Sequence, residues 1–429
     1  MRSGRASEVV GLLRSAVAAN LRLLANAGSM VGTSLVTSLL GVAFWFVAAQ
    51  HFSDAAVGLA GAAVSAMLLL GFVGTLGLGT LLMGDLPQRE TGRRSLLNAA
   101  LLTSAVVGGG FGLAFALIAP RVSSNLAVLD STWLAIAAFA AGAGLTALSL
   151  VLDQALIGVL RGGLQLGRNL IFATVKLLAL IAVTVFVVDP GAPWVYAAWG
   201  LGIALSMIVL IRFYSRRGSD PLRPDFARLR ELRRLAASHA TVNLALEMAD
   251  LAMPIIVVAM LTPDANAGFY MAWLIVGFLV MVPLSLSSVA YAIGSGDSKQ
   301  STDRFRFTFA ISIAFGALAN LALLGGAEPV LGVFGESYAE QATTTLQILA
   351  LGFFPLTIKT HYVAIHRVRR TLGRALPIVW GGTLLELGGG AIGAGIGGLE
   401  GVAWGWLAGL AVEAVVMGGD VDRALRRRQ

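Results

Sequence analysis

The chain has 429 residues, of which 57% are hydrophobic and 13% are charged, and its formal net charge is +8 at pH 7. This composition exceeds what a soluble domain needs for its core, so it predicts an integral membrane protein and argues against nucleic acid as the partner of the basic residues. The chain has no cysteine, which excludes disulfides, thiolate metal sites and cysteine nucleophiles.

Apolar segments long enough to cross a hydrocarbon core of about 30 Å follow one another along the chain. They predict an all-α membrane protein with twelve transmembrane spans and short connections. Glycines are frequent in the second and eleventh spans, which predicts close packing of helix backbones there. The predicted spans are residues 24–48, 56–82, 96–119, 131–153, 168–188, 194–213, 239–260, 267–292, 307–326, 342–364, 375–397 and 399–417.

Positive charge alternates between successive connections. All but three of the 31 Lys and Arg residues lie in the two tails and in every second connection. The connections between them hold one basic residue, Arg121, against eight acidic ones. Because Lys and Arg cross a membrane poorly, both termini are predicted to be cytoplasmic, with Asp54, Asp189 and Asp264 outside. The basic inner surface is expected to attract anionic lipids of the inner leaflet.

Three short matches recur in the same order in the two halves of the chain. They pair residues 54–58 with 264–268, the Leu-Gly-Arg ending at 168 with that ending at 374, and the Ala-Trp-Gly of 198–200 with that of 403–405. Since six spans is an even number, the halves share one orientation and form a parallel repeat. We predict two pseudo-symmetric six-helix lobes, residues 1–213 and 238–429, joined by a basic cytoplasmic linker with an amphipathic helix at 214–237. A cavity between the lobes, with alternating access by lobe rocking, follows from this arrangement.

Ionisable residues within the predicted spans are candidates for a functional site, with structural ion pairing as the alternative. Each costs about 2.5–3.5 kcal/mol near the bilayer centre unless it meets water or a partner. Glu413 lies near the inner end of its span, where its carboxylate is expected to reach the membrane interface. No spaced set of His and Cys predicts a metal site. The ionisable residues are Asp153, Lys176, Glu247, Asp250, Lys359, Glu386 and Glu413.

Two carboxylates share one face of the seventh span, because Glu247 and Asp250 are three residues apart. Pro254 follows one turn later, where its missing N–H frees a carbonyl near Asp250 and favours a kink. Carboxylates beside an interrupted helix predict a binding site for a coupling ion, H⁺ or Na⁺, with Glu386 as a third ligand. Structural hydrogen bonding is the competing interpretation.

Cations within or beside the spans are candidate ligands for an anionic substrate. Lys176 and Lys359 lie inside spans, where an ammonium needs compensation, and Arg22 and Asn26 lie at the inner end of the first span. For Arg22 the alternative is a plain topology determinant. Asp153 and Lys359 occupy equivalent positions of the two halves, which predicts either a gating pair across the lobes or two faces of one cavity.

Four further segments carry a family likeness: 54–58 with the glycine-rich second span, 265–270 after Asp250, 330–339 before the tenth span, and 398–405. Together they resemble the polysaccharide-biosynthesis flippases of the multidrug, oligosaccharidyl-lipid and polysaccharide exporter superfamily. The resemblance implies an inverted V of two six-helix lobes whose cavity is lined mainly by the first, second, seventh and eighth spans. It also implies a bacterial cytoplasmic membrane and other polysaccharide-assembly membrane proteins as partners. The first span departs from the pattern, because beyond Arg22 it has few cations.

Three functions are compared on this basis. The leading one is an alternating-access transporter, not an enzyme, that flips a polyprenyl-pyrophosphate-linked oligosaccharide to the outer leaflet without a cofactor other than a coupling ion. A cation-coupled multidrug antiporter of the same superfamily is the alternative, because it would share the acidic seventh span. The short outer connections disfavour the third, an integral-membrane glycosyltransferase or ligase.

Overall fold

The structure is a computed structural model that describes residues 36–208, 223–294, 298–369 and 371–426. Within these ranges the regular elements are all helices, with no strand. Arg22 and Asn26, two of the predicted substrate ligands, lie outside the described residues.

Between residues 36 and 208, the N-terminal lobe has seven helices, which form the first six spans. The second span is made of two helices, α2 and α3, and short 3-10 turns at Leu86–Gln88 and Ser124–Asp130 flank α4. The helices are α1 (Val36–His51), α2 (Asp54–Gly74), α3 (Leu78–Asp85), α4 (Arg93–Val122), α5 (Trp133–Gly158), α6 (Gly162–Phe186) and α7 (Ala192–Ser206).

The C-terminal lobe follows a short linker helix. Its last helical stretch, Leu372–Arg426, leaves helical geometry at Gly397 and Gly398 and therefore comprises two helices, α14 (372–396) and α15 (399–426). Gly398 has a φ of +60°, which permits this reversal. The other helices are α8 (Phe226–Glu231, the linker), α9 (Arg233–Met260), α10 (Pro263–Gly294), α11 (Ser298–Gly332), α12 (Glu336–Leu351) and α13 (Phe353–Val368).

The predicted count of twelve spans is confirmed. Nine stretches of the described residues are long and apolar enough to cross a membrane, and the last of them is the hairpin of α14 and α15. The shorter helices α1 and α7 supply the remaining two spans. The tenth span is made of α12 and α13 together. The described residues thus have the all-α architecture that hydropathy predicts.

The second span is broken between α2 and α3, at Leu76 and Gly77. Leu76 and Gly77 both have positive φ, +51° and +74°, so α2 stops and α3 starts in a new direction. A Cβ on Gly77 would lie 2.1 Å from the carbonyl oxygen of Ala236 in α9. Gly74 similarly lies against the backbone of Gly108 in α4. The glycines therefore serve backbone packing, as the sequence predicts.

The hairpin of the eleventh and twelfth spans is also built on glycine. A Cβ on Gly389 would lie 2.2 Å from the carbonyl oxygen of Gly405, and one on Gly393 would lie 1.9 Å from that of Gly401. The two helices thus touch backbone to backbone over two successive turns.

The linker helix α8 packs against the N-terminal lobe. Leu229 is buried in that lobe's hydrophobic core, and the Asp225 N–H donates to the Ser95 carbonyl at 3.1 Å. The helix is shorter than predicted, because α9 already begins at Arg233, inside the predicted linker. Residues 209–222 lie outside the described ranges, so the lobe boundaries at 213 and 238 stay predictions.

The two lobes are joined at their predicted outer ends by side chains that bond to backbone carbonyls. We call this set of contacts the outer seal. The Asn266 Nδ2 donates to the Gly58 carbonyl at 2.7 Å across the lobe interface. The other bonds of the outer seal run from Asn125 Nδ2 to Val258 O and Leu261 O, at 2.9 and 2.8 Å, and from Ser123 Oγ to Ala259 O at 3.0 Å.

Candidate binding cavity

A cavity of about 360 Å³ opens among five spans of the C-terminal lobe, the seventh, eighth, tenth, eleventh and twelfth. Its size falls in the range of about 300–1,000 Å³ typical of small-molecule sites. The expected cavity was one between the lobes, lined by the first, second, seventh and eighth spans; the observed one is lined by the C-terminal lobe alone. Its polar and aromatic lining consists of Glu247, Asp250, Trp273, Ser287, Lys359, Thr360, Arg367, Glu386 and Trp406.

The carboxylates of the seventh span face this cavity. Glu247 and Asp250 both line it and both are exposed, and Glu386 reaches the same space from the eleventh span. The structure thus brings together the three residues that the sequence assigns to a coupling ion. Among the described residues, however, no three His, Asp or Glu side chains converge closely enough to hold a metal ion.

Pro254 does not end the seventh span, because α9 continues through it to Met260. The proline leaves the Asp250 carbonyl without its helical N–H partner. That carbonyl instead accepts a hydrogen bond from Trp273 Nε1 at 3.2 Å. The indole of the eighth span therefore satisfies the backbone group that was expected to be free, and it holds one wall of the cavity beside Asp250.

Lys359 lies in a buried ion cluster, which we name the Lys359 cluster, formed with Glu386 and Glu413. Its Nζ is 2.6 Å from Glu386 Oε1 and 3.1 Å from Glu413 Oε2, and the three side chains are at most 8% exposed. Trp406 Nε1 donates to Glu386 Oε2 at 3.0 Å. The expectation that Glu413 reaches the membrane interface is wrong, because its carboxylate turns inward against Lys359.

The predicted pair of Asp153 with Lys359 does not form. Arg168, at the start of α6, binds Asp153 in a bidentate manner, with Nε–Oδ1 and Nη2–Oδ2 distances of 2.7 and 2.6 Å. Arg168 is 3% exposed, and its Nη1 also donates to Ser149 Oγ at 2.7 Å. Each of the two residues therefore pairs within its own lobe, Asp153 with Arg168 and Lys359 with Glu386.

Replacing Asp153 by Asn is expected to destabilise the protein without a specific effect on transport. Breaking a fully buried ion pair lowers the free energy of unfolding by about 3–5 kcal/mol. The loss expected here is no larger than that, because Asp153 is partly exposed. Thermal unfolding in detergent measures the loss. Asp85→Asn, which breaks a more exposed pair with Arg89, is the control and is expected to cost less than about 1 kcal/mol. Strong energetic coupling between Asp153 and Lys359 in a double-mutant cycle would instead support the hypothesis that the two residues form a gating pair.

Lys176 lies in the N-terminal lobe, away from the cavity, and is 3% exposed. Its Nζ is 3.7 Å from the ring centre of Trp199, 4.7 Å from that of Phe172 and 5.0 Å from that of Phe44. Such cation–π contacts are worth about 2 kcal/mol or more when desolvated. Three aromatic rings therefore surround the ammonium that was expected to face an anionic substrate, and the structure does not bring Lys176 into the cavity.

Three cavity residues were missed by the sequence interpretation. Trp273 and Trp406 form aromatic walls, and Arg367 lies exposed at the inner end of the tenth span. Trp406 follows the repeated Ala-Trp-Gly segment by one residue, so the repeat pointed to its vicinity. Arg367 was counted among the topology-determining charges, where nothing distinguished it from its neighbours.

The fold is similar to that of solved membrane transporters. An inward-facing multidrug resistance MATE family transporter of the MOP superfamily gives a TM-score of 0.70 at 14% identity, covering 92% of this chain and 96% of the other. An outward-facing multidrug resistance MATE family transporter gives 0.58 at 16% identity, covering 94% and 95%. A MOP superfamily transporter from Pyrococcus furiosus, described as having a binding pocket of reverse polarity, gives 0.57 at 14% identity, covering 94% and 95%.

Neither a protein-family model nor a curated protein sequence matches the chain. At identities of 14–16%, the structural likenesses establish the fold. The chain has the twelve-span, two-lobe fold of the MATE transporters of the MOP superfamily.

Proposed function

We propose that the protein is a secondary transporter that exports organic cations in exchange for an inward-moving cation, H⁺ or Na⁺. One observation carries the proposal: two carboxylates, Glu247 and Asp250, are exposed in a cavity with tryptophan walls. Carboxylates supply charge complementarity to a cation, and Trp273 and Trp406 supply π faces that attract it. The solved transporters of the same fold support a transport role.

The cations predicted to hold an anionic substrate give that alternative less support. Lys359 is neutralised by two carboxylates, and Lys176 is enclosed by aromatic rings. Arg22 and Asn26 lie outside the described residues. The residues that line the cavity therefore include three carboxylates and two cations, Lys359 and Arg367.

Coupling in this proposal is competition at the seventh span. Glu247 and Asp250 bind either the coupling ion or the organic cation, so entry of one expels the other, and alternating access then moves them in opposite directions. A proton needs only one carboxylate, whereas Na⁺ needs several ligands around it. The lack of a converged ligand set among the described residues therefore favours the proton.

A lipid-linked oligosaccharide flippase is the second candidate. The exposed Arg367 at the cavity and the basic inner connections favour it, because guanidinium groups bind pyrophosphate well. Its partners would be the lipid-linked oligosaccharide and other polysaccharide-assembly membrane proteins in a bacterial cytoplasmic membrane.

Purified protein in proteoliposomes separates the two candidates. A pH gradient, with a Na⁺ gradient in parallel, is expected to drive accumulation of tetraphenylphosphonium or ethidium, and empty liposomes are the control. In the same vesicles a polyprenyl-pyrophosphate oligosaccharide is tested for transfer between leaflets. Transfer of the lipid without gradient-driven movement of either cation would reject the antiporter and support the flippase.

A further inference from the structure

The Lys359 cluster contains one more carboxylate than it has cations. Lys359, Glu386 and Glu413 come from the tenth, eleventh and twelfth spans and meet within 3.1 Å. With all three ionised, the cluster carries one uncompensated negative charge on side chains that are almost fully buried. Burying such a charge is strongly unfavourable, so a bound proton is the simplest source of neutrality.

The two carboxylates of the cluster differ in their surroundings. Glu386 accepts hydrogen bonds from Lys359 Nζ and Trp406 Nε1, as an ionised carboxylate requires. Neither oxygen of Glu413 accepts a well-aligned hydrogen bond in the described part of the chain. Its Oε2 is 3.1 Å from Lys359 Nζ, and the Glu386 carboxylate lies within hydrogen-bonding reach of it. The group is 1% exposed and is pressed against Gly382, where a Cβ would lie 2.0 Å from Glu413 Cδ.

The neighbouring charged groups of the described residues do not repair the imbalance. On the tenth span, Tyr362 faces both Glu413 and Asp420, and His366 contacts Asp420, with 3.6 Å between Nε2 and Oδ2. From the seventh span, Asp250 faces Glu386 and adds further negative charge. Arg367 is also positively charged, but it is exposed at the cavity.

We propose that Glu413 is a proton-binding site that exchanges its proton for the cation entering the cavity. This rests on the proposed export of organic cations. In the empty state Glu413 holds the proton, and Lys359 pairs with Glu386. A cation that binds beside Glu386 and Asp250 repels the Lys359 ammonium toward Glu413. The O–H bond of Glu413 then breaks, its proton leaves to cavity water, and the carboxylate pairs with Lys359. At Glu413 one proton leaves for each cation that enters, in addition to any proton that the cargo displaces from the seventh span.

Infrared spectroscopy of the ligand-free full chain tests whether the proton is present. The background is Glu247→Gln with Asp250→Asn, so that the seventh-span acids do not contribute. A carbonyl stretch of a protonated carboxylic acid, shifted in D₂O, is expected at neutral pH. It should vanish with Glu413→Gln and persist with Glu400→Gln, an exposed residue on the same helix. Absence of the band in the background protein would overturn the proposal, and this result does not depend on any transport activity.

Proton release on binding of tetraphenylphosphonium in weakly buffered detergent tests the exchange. Glu413→Gln is expected to release about one proton fewer per bound cation than the parent protein. Adding Lys359→Met to Glu413→Gln leaves Glu386 as the cluster's sole charge, so a titrating proton should return. Undiminished release by a folded Glu413→Gln variant, or no recovery in the double variant, would contradict the proposal. If Glu413→Gln does not fold, Glu413→Asp must retain the release. Failure of the parent protein to bind the cation would instead reject the proposed function.

Discussion

Neutralising both carboxylates of the seventh span is expected to abolish gradient-driven export of organic cations. In the Glu247→Gln, Asp250→Asn double variant, the cavity keeps its shape and tryptophan walls but loses the charges that complement the cargo. Removing one partner of a desolvated charge pair costs about 2–5 kcal/mol, so the Kd for tetraphenylphosphonium should rise about 30-fold or more. Coupling to the pH gradient should be lost as well, because without bound cargo neither these oxygens nor Glu413 can exchange a proton for it.

Binding isotherms in detergent and uptake into proteoliposomes measure these two effects separately. The matched control is Asp130→Asn with Glu340→Gln, which makes the same chemical changes at exposed positions outside the cavity. Both proteins should show the thermal stability of the parent protein. Unchanged affinity and unchanged gradient dependence in the seventh-span variant would remove these residues from the mechanism.

Gly58→Val is expected to prevent closure of the outer seal. A Cβ at this position would lie 1.8 Å from the carbonyl oxygen of Pro263 and 2.9 Å from the Ala267 nitrogen, both backbone atoms of the opposite lobe. Overpacking costs about 1–3 kcal/mol, which corresponds to a shift of about 5- to 150-fold away from the closed state. The state in which the outer seal is closed should become rare, and transport should slow accordingly.

The absence of native cysteine makes this prediction directly measurable. Ser65→Cys, a near-isosteric change two turns inside the outer seal, reports access from outside to a membrane-impermeant maleimide. Labelling should be slow in the otherwise native chain, because Ser65 is 4% exposed, and fast when Gly58→Val is added. Gly110→Val, in a helix position with open space around it, should leave labelling slow. Fast labelling in the control, or slow labelling with Gly58→Val, would contradict the prediction.

Hydropathy and charge alternation were sufficient to predict the spans, because the membrane imposes length and composition on each of them. The interruptions within spans were not predictable in the same way. The second span breaks at Leu76, an apolar residue with positive φ, and its geometry depends on the contact of Gly77 with α9. Such a break reflects packing between helices that are distant in sequence, which hydropathy does not report.

The site was predictable only where its residues share a helix. Glu247 and Asp250 face the same cavity because their spacing within one helix decides it. The partner of Lys359 was not predictable, because equivalence in a repeat says nothing about which helix faces which. Asp153 pairs with Arg168, which lies at the first position of the predicted fifth span and was not among the candidate site residues, whereas Lys359 pairs with Glu386.

The hairpin of α14 and α15 sets the way in which the cavity can change volume. The backbones of its two helices touch through glycine pairs, so the helices cannot move closer together. This hairpin carries Glu386, Trp406 and Glu413. These three residues are therefore expected to move as one rigid body. A change in the volume of the cavity therefore requires movement of the opposite wall. In that wall the hydrogen bond from Trp273 to the Asp250 carbonyl joins α10 to α9. The cavity of the C-terminal lobe therefore has one rigid wall, the hairpin of α14 and α15, and one movable wall, formed by α9 and α10.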